Sequence, residues 1–260
     1  MPRLLLRIAY DGTAYAGWQR QQNGPSIQAC LETALAPLAG GLVTVHGAGR
    51  TDAGVHAEGQ VAHVDLPDGL LPDTVLRAAN ARLPTDIRVR EVRQVSNTLH
   101  ARFDALSKTY RYRWLVSTVG HPLLARTSTL VPPPLDASAM DQACAGLIGT
   151  HDFAAFRSTG TRVATTTRTI TMAQVQERAG DPRDVAVLAP EERLVEFEVA
   201  GDGFLRHMVR ALAGTLLAVG QGRAPASGLA SVLAGRTRQE AGPTAPAHGL
   251  TLIHVAYRLE

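Results

Sequence analysis

The order of apolar patterns along this chain occurs twice, and this repeat limits the possible folds more than any other feature. Continuous apolar runs, typical of buried strands, alternate with segments whose apolar residues return every three or four positions, as in amphipathic helices. The first cycle predicts the order β-α-β-β-α-β. Its predicted strands are 4–10, 42–46, 60–66 and 87–95, and its predicted helices are 27–38, with Ser26 as N-cap, and 71–83.

The second cycle repeats this order, although the two parts share no recognisable sequence identity. We therefore predict an α+β protein of two tandem ferredoxin-like halves, residues 1–105 and 106–260, that form a mixed, largely antiparallel sheet with helices on one face. The polar segment 177–193 is expected to be exposed. The predicted strands of the second half are 108–117, 169–176, 194–199 and 250–258, and its predicted helices are 136–148, 203–219 and 226–233.

The composition is that of an ordinary globular protein, with 260 residues of which 45% are hydrophobic and 19% charged. No apolar run approaches the roughly 18 residues that span a bilayer, and the first residues lack the features of a signal peptide. We therefore expect a cytoplasmic protein without a membrane segment. The net charge of +3 permits a polyanionic partner, and Lys108 is the only lysine among 26 basic residues. This arginine richness is weak support for nucleic-acid binding, because alanine, glycine and proline are also abundant.

Cysteine and histidine give no sign of a metal site. Cys30 and Cys144 lie far apart in predicted helices and outside any CxxC motif, so we expect buried, reduced thiols. His46, His56 and His63 lie close in sequence to Asp52, but their spacings differ from those of known zinc sites. His63, in a predicted strand, is expected to have a structural role.

A glycine-rich loop, GAGRTDAGVH at 47–56, is the strongest candidate for chemistry. It carries Arg50 and Asp52, whereas the chain contains no GxSxG, GxxxxGK[ST] or strand-following GxGxxG motif. An ionised aspartate is a competent nucleophile toward a sugar or base carbon, and a nearby arginine lowers the pKa of the carboxyl group. The same residues could equally form a solvated turn with a surface ion pair. From these residues alone, both interpretations stay open.

The segment GRTDAGVHAEGQV, residues 49–61, resembles the catalytic loop of the tRNA pseudouridine synthase A family. Further blocks of the family follow in the same order, so the resemblance covers essentially the whole chain, most weakly at 179–192. It implies isomerisation of uridine to pseudouridine in the anticodon stem-loop of tRNA, at nucleotides 38–40. It also implies a homodimer with an RNA-binding cleft and neither metal nor organic cofactor. The matching blocks are 10–21, 100–113, 152–160, 203–214 and 246–257.

The resemblance also assigns roles to four residues. Asp52 matches the nucleophile, and Arg50 matches the loop arginine that helps to extrude the target nucleotide. Tyr110 matches the tyrosine that lies against the target base, and Arg210 matches the basic residue that pairs with the nucleophile. From the pattern alone, Tyr110 would belong to an apolar core, because aromatic residues alternate along its strand.

Neighbouring aromatic residues are expected to pack in the core rather than to bind RNA. Tyr112 and Trp114 share a predicted strand face with Tyr110, and Phe153 and Phe156 belong to the third block. Arg210 lies in an otherwise apolar helix, where a charge is costly unless it is paired. Asp52 is the expected partner.

Two other functions fit parts of the sequence. Tandem ferredoxin-like units also occur in non-catalytic RNA-binding proteins, although the consensus of RNA-recognition motifs is absent. An N-glycosidase acting on RNA could use Asp52 to open the same glycosidic bond and release the base. Product analysis distinguishes the three: free uracil, a retained carbon-linked base, or no conversion.

Overall fold

The computed structural model describes residues 1–158, 163–178, 188–234 and 241–258. The chain divides into two compact units, Met1–Lys108 with Thr251–Glu260 and Thr109–Leu250. The predicted halves were 1–105 and 106–260, whereas the last strand of the chain packs with the first unit. The chain is α+β, and most of its strand pairs are antiparallel, as predicted.

Ten strands and five helices make up the regular structure of the described residues. The strands are β1 (Arg3–Tyr10), β2 (His46–Gly47), β3 (His56–Asp65), β4 (Ile87–Val95), β5 (Ala105–Val116), β6 (Thr129–Val131), β7 (Gly149–Asp152), β8 (Thr167–Arg178), β9 (Arg193–Gly201) and β10 (Leu250–Tyr257). The helices are α1 (Ile27–Ala39), α2 (Pro72–Asn80), α3 (Ala137–Cys144), α4 (Met208–Gly220) and α5 (Gly228–Leu233). Within the described ranges, no helix has the length and apolar character needed to cross a bilayer.

In the first unit, β1 lies between β4 and β3 and is antiparallel to both. β10 runs parallel to β3 and pairs with it at Thr251–His56 and Leu252–Ala57, next to the glycine-rich loop. Helix α2 packs on β4 and against α1. The core of the unit consists of fully buried aliphatic side chains, among them Leu4, Leu6, Ile8, Ile27, Leu31, Leu35 and Val64.

Helix α1 begins as predicted, because the Ser26 hydroxyl accepts a hydrogen bond from the backbone N–H of Ala29. Its buried face includes polar residues. Gln28 and Glu32 are buried, whereas Cys30, which was expected to be buried, and Leu38 are only partly buried. The two buried polar side chains therefore need partners within the unit.

The predicted strand at 42–46 is wrong, because those polar side chains bind its backbone. Gln28 Nε2 donates to the carbonyl of Val45 and Glu32 Oε1 accepts from the Val45 N–H, each at 3.1 Å. Leu42 is fully exposed. Only His46 and Gly47 pair with β3.

In the second unit, β9 lies between β5 and β8, β7 follows β8, and the short β6 runs parallel to β5. Helix α3 packs on β8 and α4. The predicted core aromatics are fully buried, namely Tyr112, Trp114, Phe153 and Phe156, and Phe197 joins them. Residues 179–187 of the expected exposed segment, and Thr159 and Gly160 of the block at 152–160, lie outside the described residues.

Helix α4 starts at Met208, five residues later than predicted from 203. His207 immediately before it has a φ of 64°, in the left-handed region that non-glycine residues rarely adopt. This conformation marks the start of α4, which the apolar periodicity of the sequence did not reveal. Cys30 and Cys144 are both free thiols, and burial raises the pKa of Cys144 to about 12.

Candidate active site

The glycine-rich loop connects β2 to β3 in the first unit and presents Asp52 in a tight turn. The Ala48 N–H donates to the Val61 carbonyl at 2.7 Å, and the Val55 N–H donates to the Asp52 carbonyl at 3.2 Å. Gly54 has a φ of 77°, which permits this turn. Asp52 is partly buried, whereas Arg50 is exposed. The loop thus brings these two predicted site residues close together on one short segment.

Buried hydrogen bonds fix the chain on both sides of Arg50. Before it, Gln60 Nε2 donates to the Gly49 carbonyl at 3.0 Å. After it, the Thr51 hydroxyl lies 2.8 Å from the hydroxyl of Tyr10. Gln60, Tyr10 and Thr51 are all buried, and burial raises the pKa of Tyr10 to about 12. The backbone around Arg50 is therefore held while its side chain remains accessible.

The segment that follows β1 docks against the loop backbone to backbone. The Trp18 N–H donates to the Thr51 carbonyl at 3.1 Å, and the Gly54 N–H donates to the Tyr15 carbonyl at 3.3 Å. Gly17 makes this approach possible, because it has a φ of 100° and an added Cβ would lie 2.5 Å from the Thr51 oxygen. The segment 10–21, the first block of the family resemblance, thus supports the glycine-rich loop.

His56, at the end of the glycine-rich loop, connects the loop to the segment that follows β1. It is buried, its Nδ1 accepts the Gly12 N–H at 3.1 Å, and this atom lies 3.2 Å from Asp11 Oδ1. An added Cβ at Gly12 would lie 2.0 Å from the Val55 carbonyl oxygen. His56 and Gly12 belong to separate blocks of the sequence. Only the glycines indicate, from sequence alone, that the two backbone segments lie close together.

Tyr110 and Arg210 belong to the second unit. Tyr110 lies on β5, is buried, and packs edge-to-face against Phe204 with ring centroids 5.1 Å apart. Arg210 lies on α4, where its Nε donates to the Ala245 carbonyl at 2.8 Å. The Ala245 N–H donates in turn to the Arg210 carbonyl at 3.0 Å. Both side chains are therefore held within the unit, and the pairing of Arg210 with Asp52 stays a prediction.

Tyr112 is a core residue, although it lies two positions from Tyr110. Its hydroxyl lies 2.6 Å from the Thr129 hydroxyl and donates to the Pro246 carbonyl at 2.9 Å. Burial raises the pKa of Tyr112 to about 12, and the charge of Arg210 acts in the opposite direction. This side chain therefore contributes to the packing of the unit, as predicted.

A strained residue in the second unit was missed by sequence reasoning. His207, at the N-cap of α4, adopts the left-handed conformation three residues before Arg210, and its carbonyl accepts the Ala211 N–H at 2.9 Å. Non-glycine residues in this region concentrate at functional sites, where the surrounding structure offsets the strain. No sequence pattern predicts such a φ value.

Three imidazoles of the first unit, His46, His63 and His100, have ring nitrogens within 4.8 Å of one another. The rings of His46 and His63 are stacked at 4.9 Å with planes 17° apart, so their in-plane lone pairs do not converge on one ion. Nδ1 of His63 accepts the Ala101 N–H and Nδ1 of His100 accepts the Arg102 N–H. In the neutral rings Nε2 then carries the proton, whereas a metal-binding histidine donates its other N–H. The cluster is therefore not arranged as a metal site.

Two rings of this cluster, those of His63 and His100, have lowered pKa values. Burial lowers the pKa of His63 to about 4, and the nearby charge of Arg3 acts in the same direction. The pKa of His100 is also lowered, chiefly by burial. His63 thus has the structural role that its strand position predicted.

Comparison with known proteins agrees with this geometry. A family model described as tRNA pseudouridine synthase matches residues 7–104 and 143–258. Curated relatives named tRNA pseudouridine synthase A include one from Myxococcus xanthus, 46% identical over 258 residues that cover 99% of this chain and 93% of the relative. Another, from Geobacter sp. (strain M21), is 43% identical over 259 residues and 99% of both chains. A third, from Solidesulfovibrio magneticus, is 47% identical over 264 residues, 99% of this chain and 92% of the relative. The chain therefore belongs to the tRNA pseudouridine synthase family and is an isomerase that acts on tRNA.

Proposed function

We propose that this isomerase converts uridine to pseudouridine in the anticodon stem-loop of tRNA, at nucleotides 38–40, with Asp52 as nucleophile and no cofactor. The observation that carries the proposal is the arrangement of the loop, in which a partly buried aspartate lies two residues from an exposed arginine. The buried bonds of Gln60, Tyr10 and Thr51 hold both residues on a fixed backbone. A fixed nucleophile needs little further ordering when the substrate binds.

The proposed chemistry balances without a co-reactant. Asp52 attacks a carbon of the target nucleotide, and the bond between uracil N1 and ribose C1′ breaks. The uracil turns, a bond forms between its C5 and C1′, and the carboxylate is released. The proton on C5 is lost to solvent while N1 gains one, so the product has the same mass as uridine. A covalent intermediate divides one difficult displacement into two easier steps.

The other predicted residues are proposed to bind the substrate. A stacked base must leave the helix before an enzyme can reach its glycosidic bond, at a cost of a few kcal/mol. We assign Arg50 to extrusion because its side chain is exposed while the backbone on either side is held. We assign Tyr110 to stacking against the base and Arg210 to the charged surroundings of the reaction, as the resemblance implies.

Two further parts of the proposal rest on the resemblance and the sequence. We propose that the enzyme is a homodimer and that it acts in the cytoplasm. Sedimentation of the purified protein, with and without tRNA, tests the first. The non-catalytic RNA-binding protein and the N-glycosidase become alternative outcomes of the activity assay.

The decisive experiment uses unmodified tRNA transcripts that each carry one uridine at position 38, 39 or 40. These are incubated with the wild type, with Asp52→Asn, and with Asp68→Asn as a control at an 86% exposed carboxylate. Nucleosides are separated by chromatography, and pseudouridine is recognised by its retention time and fragmentation because its mass equals that of uridine. We expect pseudouridine from the wild type and Asp68→Asn, and none from Asp52→Asn, which should still bind RNA. Free uracil would indicate a glycosidase, and binding without conversion would indicate a binding module.

A further inference from the structure

One surface of the first unit lies outside the catalytic loop and has the chemistry of a nucleotide-binding site. We define it as the histidine–phenylalanine patch, formed by His46, His100, Arg102 and Phe103. Three of these residues belong to the family block at 100–113. The proposed reaction gives no role to the residues of this block that precede Tyr110. His46 precedes the catalytic loop directly, on β2.

Phe103 is the unusual member of the patch. Its side chain is 74% exposed, and it is the only exposed ring among the phenylalanine, tyrosine and tryptophan residues in the described parts of the chain. The His100 ring lies 4.3 Å from it, tilted by 33°, and the Arg102 guanidinium lies over it at 5.6 Å. Single exposed apolar residues are common. An exposed aromatic ring flanked by an imidazole and a guanidinium is instead the arrangement that stacks bases and attracts phosphates.

The turn that carries Phe103 is rigid. The N–H groups of Phe103 and Asp104 both donate to the His100 carbonyl at 3.1 Å, and the His100 N–H donates to Asp104 Oδ2 at 2.7 Å. The Ala101 N–H is anchored on buried His63 at 3.0 Å, and its carbonyl accepts the Tyr257 hydroxyl. A ring that is already held in place loses little entropy on binding.

The charges around the patch favour an anionic ligand. The carboxylate of Asp104 is engaged with the backbone of the turn, and Asp65 is paired with Arg3 at 2.8 Å. Arg102 is exposed and supplies the positive charge of the patch, in which the rings of His46 and His100 lie 5.9 Å apart. An aromatic ring can stack on any base. A protein partner needs a larger apolar area than this patch provides.

We propose that the histidine–phenylalanine patch binds an unpaired nucleotide of the tRNA substrate, with its base stacked on Phe103 and its phosphate near Arg102. The proposal rests on the proposed function, because it assumes a tRNA bound at the catalytic loop. The patch supplies affinity and orientation and takes no part in the chemical step.

The test compares Phe103→Ala with Phe103→Trp, which keeps a stacking ring, and with Leu42→Ala, a fully exposed apolar control in the same unit. The dissociation constant of an unmodified tRNA transcript is measured at one fixed salt concentration, because affinity for RNA depends on salt. Single-turnover formation of pseudouridine is measured at saturating tRNA. Sedimentation and thermal unfolding are recorded for each variant.

We expect Phe103→Ala to raise the dissociation constant by roughly 5- to 100-fold, the loss of one base stack. Phe103→Trp and Leu42→Ala should stay within about 2-fold of the wild type, and the saturated single-turnover rate should be unchanged in all three. An unchanged dissociation constant in Phe103→Ala would overturn the proposal, as would a change of oligomeric state, which would identify the patch as a contact between copies. A wild type that binds tRNA but forms no pseudouridine would instead overturn the proposed function.

Discussion

Gln60 donates its side-chain amide to the backbone carbonyl of Gly49 at 3.0 Å, from a position on β3 that is fully buried. This bond holds the residue before Arg50, and Gln60 Oε1 also accepts the Val61 N–H at 3.2 Å. Gln60 therefore positions the glycine-rich loop, although its own side chain is buried.

The first prediction concerns this bond. Gln60→Leu removes the donor and leaves the Gly49 carbonyl unsatisfied, which should cost about 1–3 kcal/mol of stability. A displaced loop should also lower kcat by roughly 10- to 100-fold, with a smaller effect on KM. Urea unfolding and steady-state kinetics measure the two effects. Gln142→Leu, at an exposed position of α3, is the control and should change neither. A normal kcat in Gln60→Leu would show that the loop does not need this bond.

The second prediction separates backbone strain from a steric clash. Gly17 and Gly40 both have positive φ values, 100° and 71°, but an added Cβ meets the Thr51 oxygen at 2.5 Å only at Gly17 and meets nothing at Gly40. Gly40→Ala should therefore cost about 1 kcal/mol, and Gly17→Ala about 2–4 kcal/mol. Only Gly17→Ala should lower kcat, because only it displaces the catalytic loop. Equal losses of stability, measured in urea, would contradict the close approach at Gly17.

The third prediction compares two tyrosines on one strand. Tyr112→Phe removes two buried hydrogen bonds and should destabilise the protein by about 1–3 kcal/mol while leaving kcat/KM nearly unchanged. Tyr110→Leu should lower kcat/KM by roughly 5- to 100-fold, because it removes the proposed stacking ring. Assays are run well below each variant's Tm, as measured by thermal unfolding. If the activity of Tyr110→Leu falls only in proportion to its unfolded fraction, Tyr110 belongs to the core.

The fourth prediction is a dependence of stability on pH. The pKa of His63 is lowered to about 4 in the folded protein, whereas an unfolded histidine has a pKa of about 6.5. Between these values the unfolded chain binds the proton and the folded protein does not. Stability should therefore fall as the pH drops from about 6.5 to 4, with no further contribution from His63 below that range.

The measurement is urea unfolding at pH 7 and pH 5, for the wild type and for His63→Gln. Glutamine keeps an acceptor for the Ala101 N–H but does not titrate. The wild type should lose about 1–2 kcal/mol more than His63→Gln between the two pH values. Equal losses would show that His63 is protonated as readily in the folded state as in the unfolded chain.

Local patterns predicted most of the regular structure, and the failures have physical causes. The strands at 4–10 and 87–95 were recognised because their apolar character is strong and local. The strand expected at 42–46 does not form, because the side chains of Gln28 and Glu32, which are distant in sequence, bind the backbone of Val45. The strands β6 and β7 have three and four residues and are too short to show a periodicity.

In the candidate site, too, local patterns predicted some residues, whereas others depend on long-range contacts. The composition of the loop made Arg50 and Asp52 candidates without a structure, and the family resemblance favoured them over a solvated turn. The supporting roles of Tyr10, Gly17 and Gln60 depend on contacts with residues far away in sequence. No pattern within one segment reveals such contacts.

The pairing of β10 with β3 has a consequence for biosynthesis. Thr251 and Leu252 lie beside His56 and Ala57, where the glycine-rich loop ends. A ribosome makes the N-terminal part of the first unit long before it makes these residues. Until β10 has been made and released, this stretch of β3 is an open strand edge, which can pair with other nascent chains. Completion of the first unit is therefore coupled to translation of β10. A chain interrupted before β10 would lack the strand that closes the edge beside the glycine-rich loop.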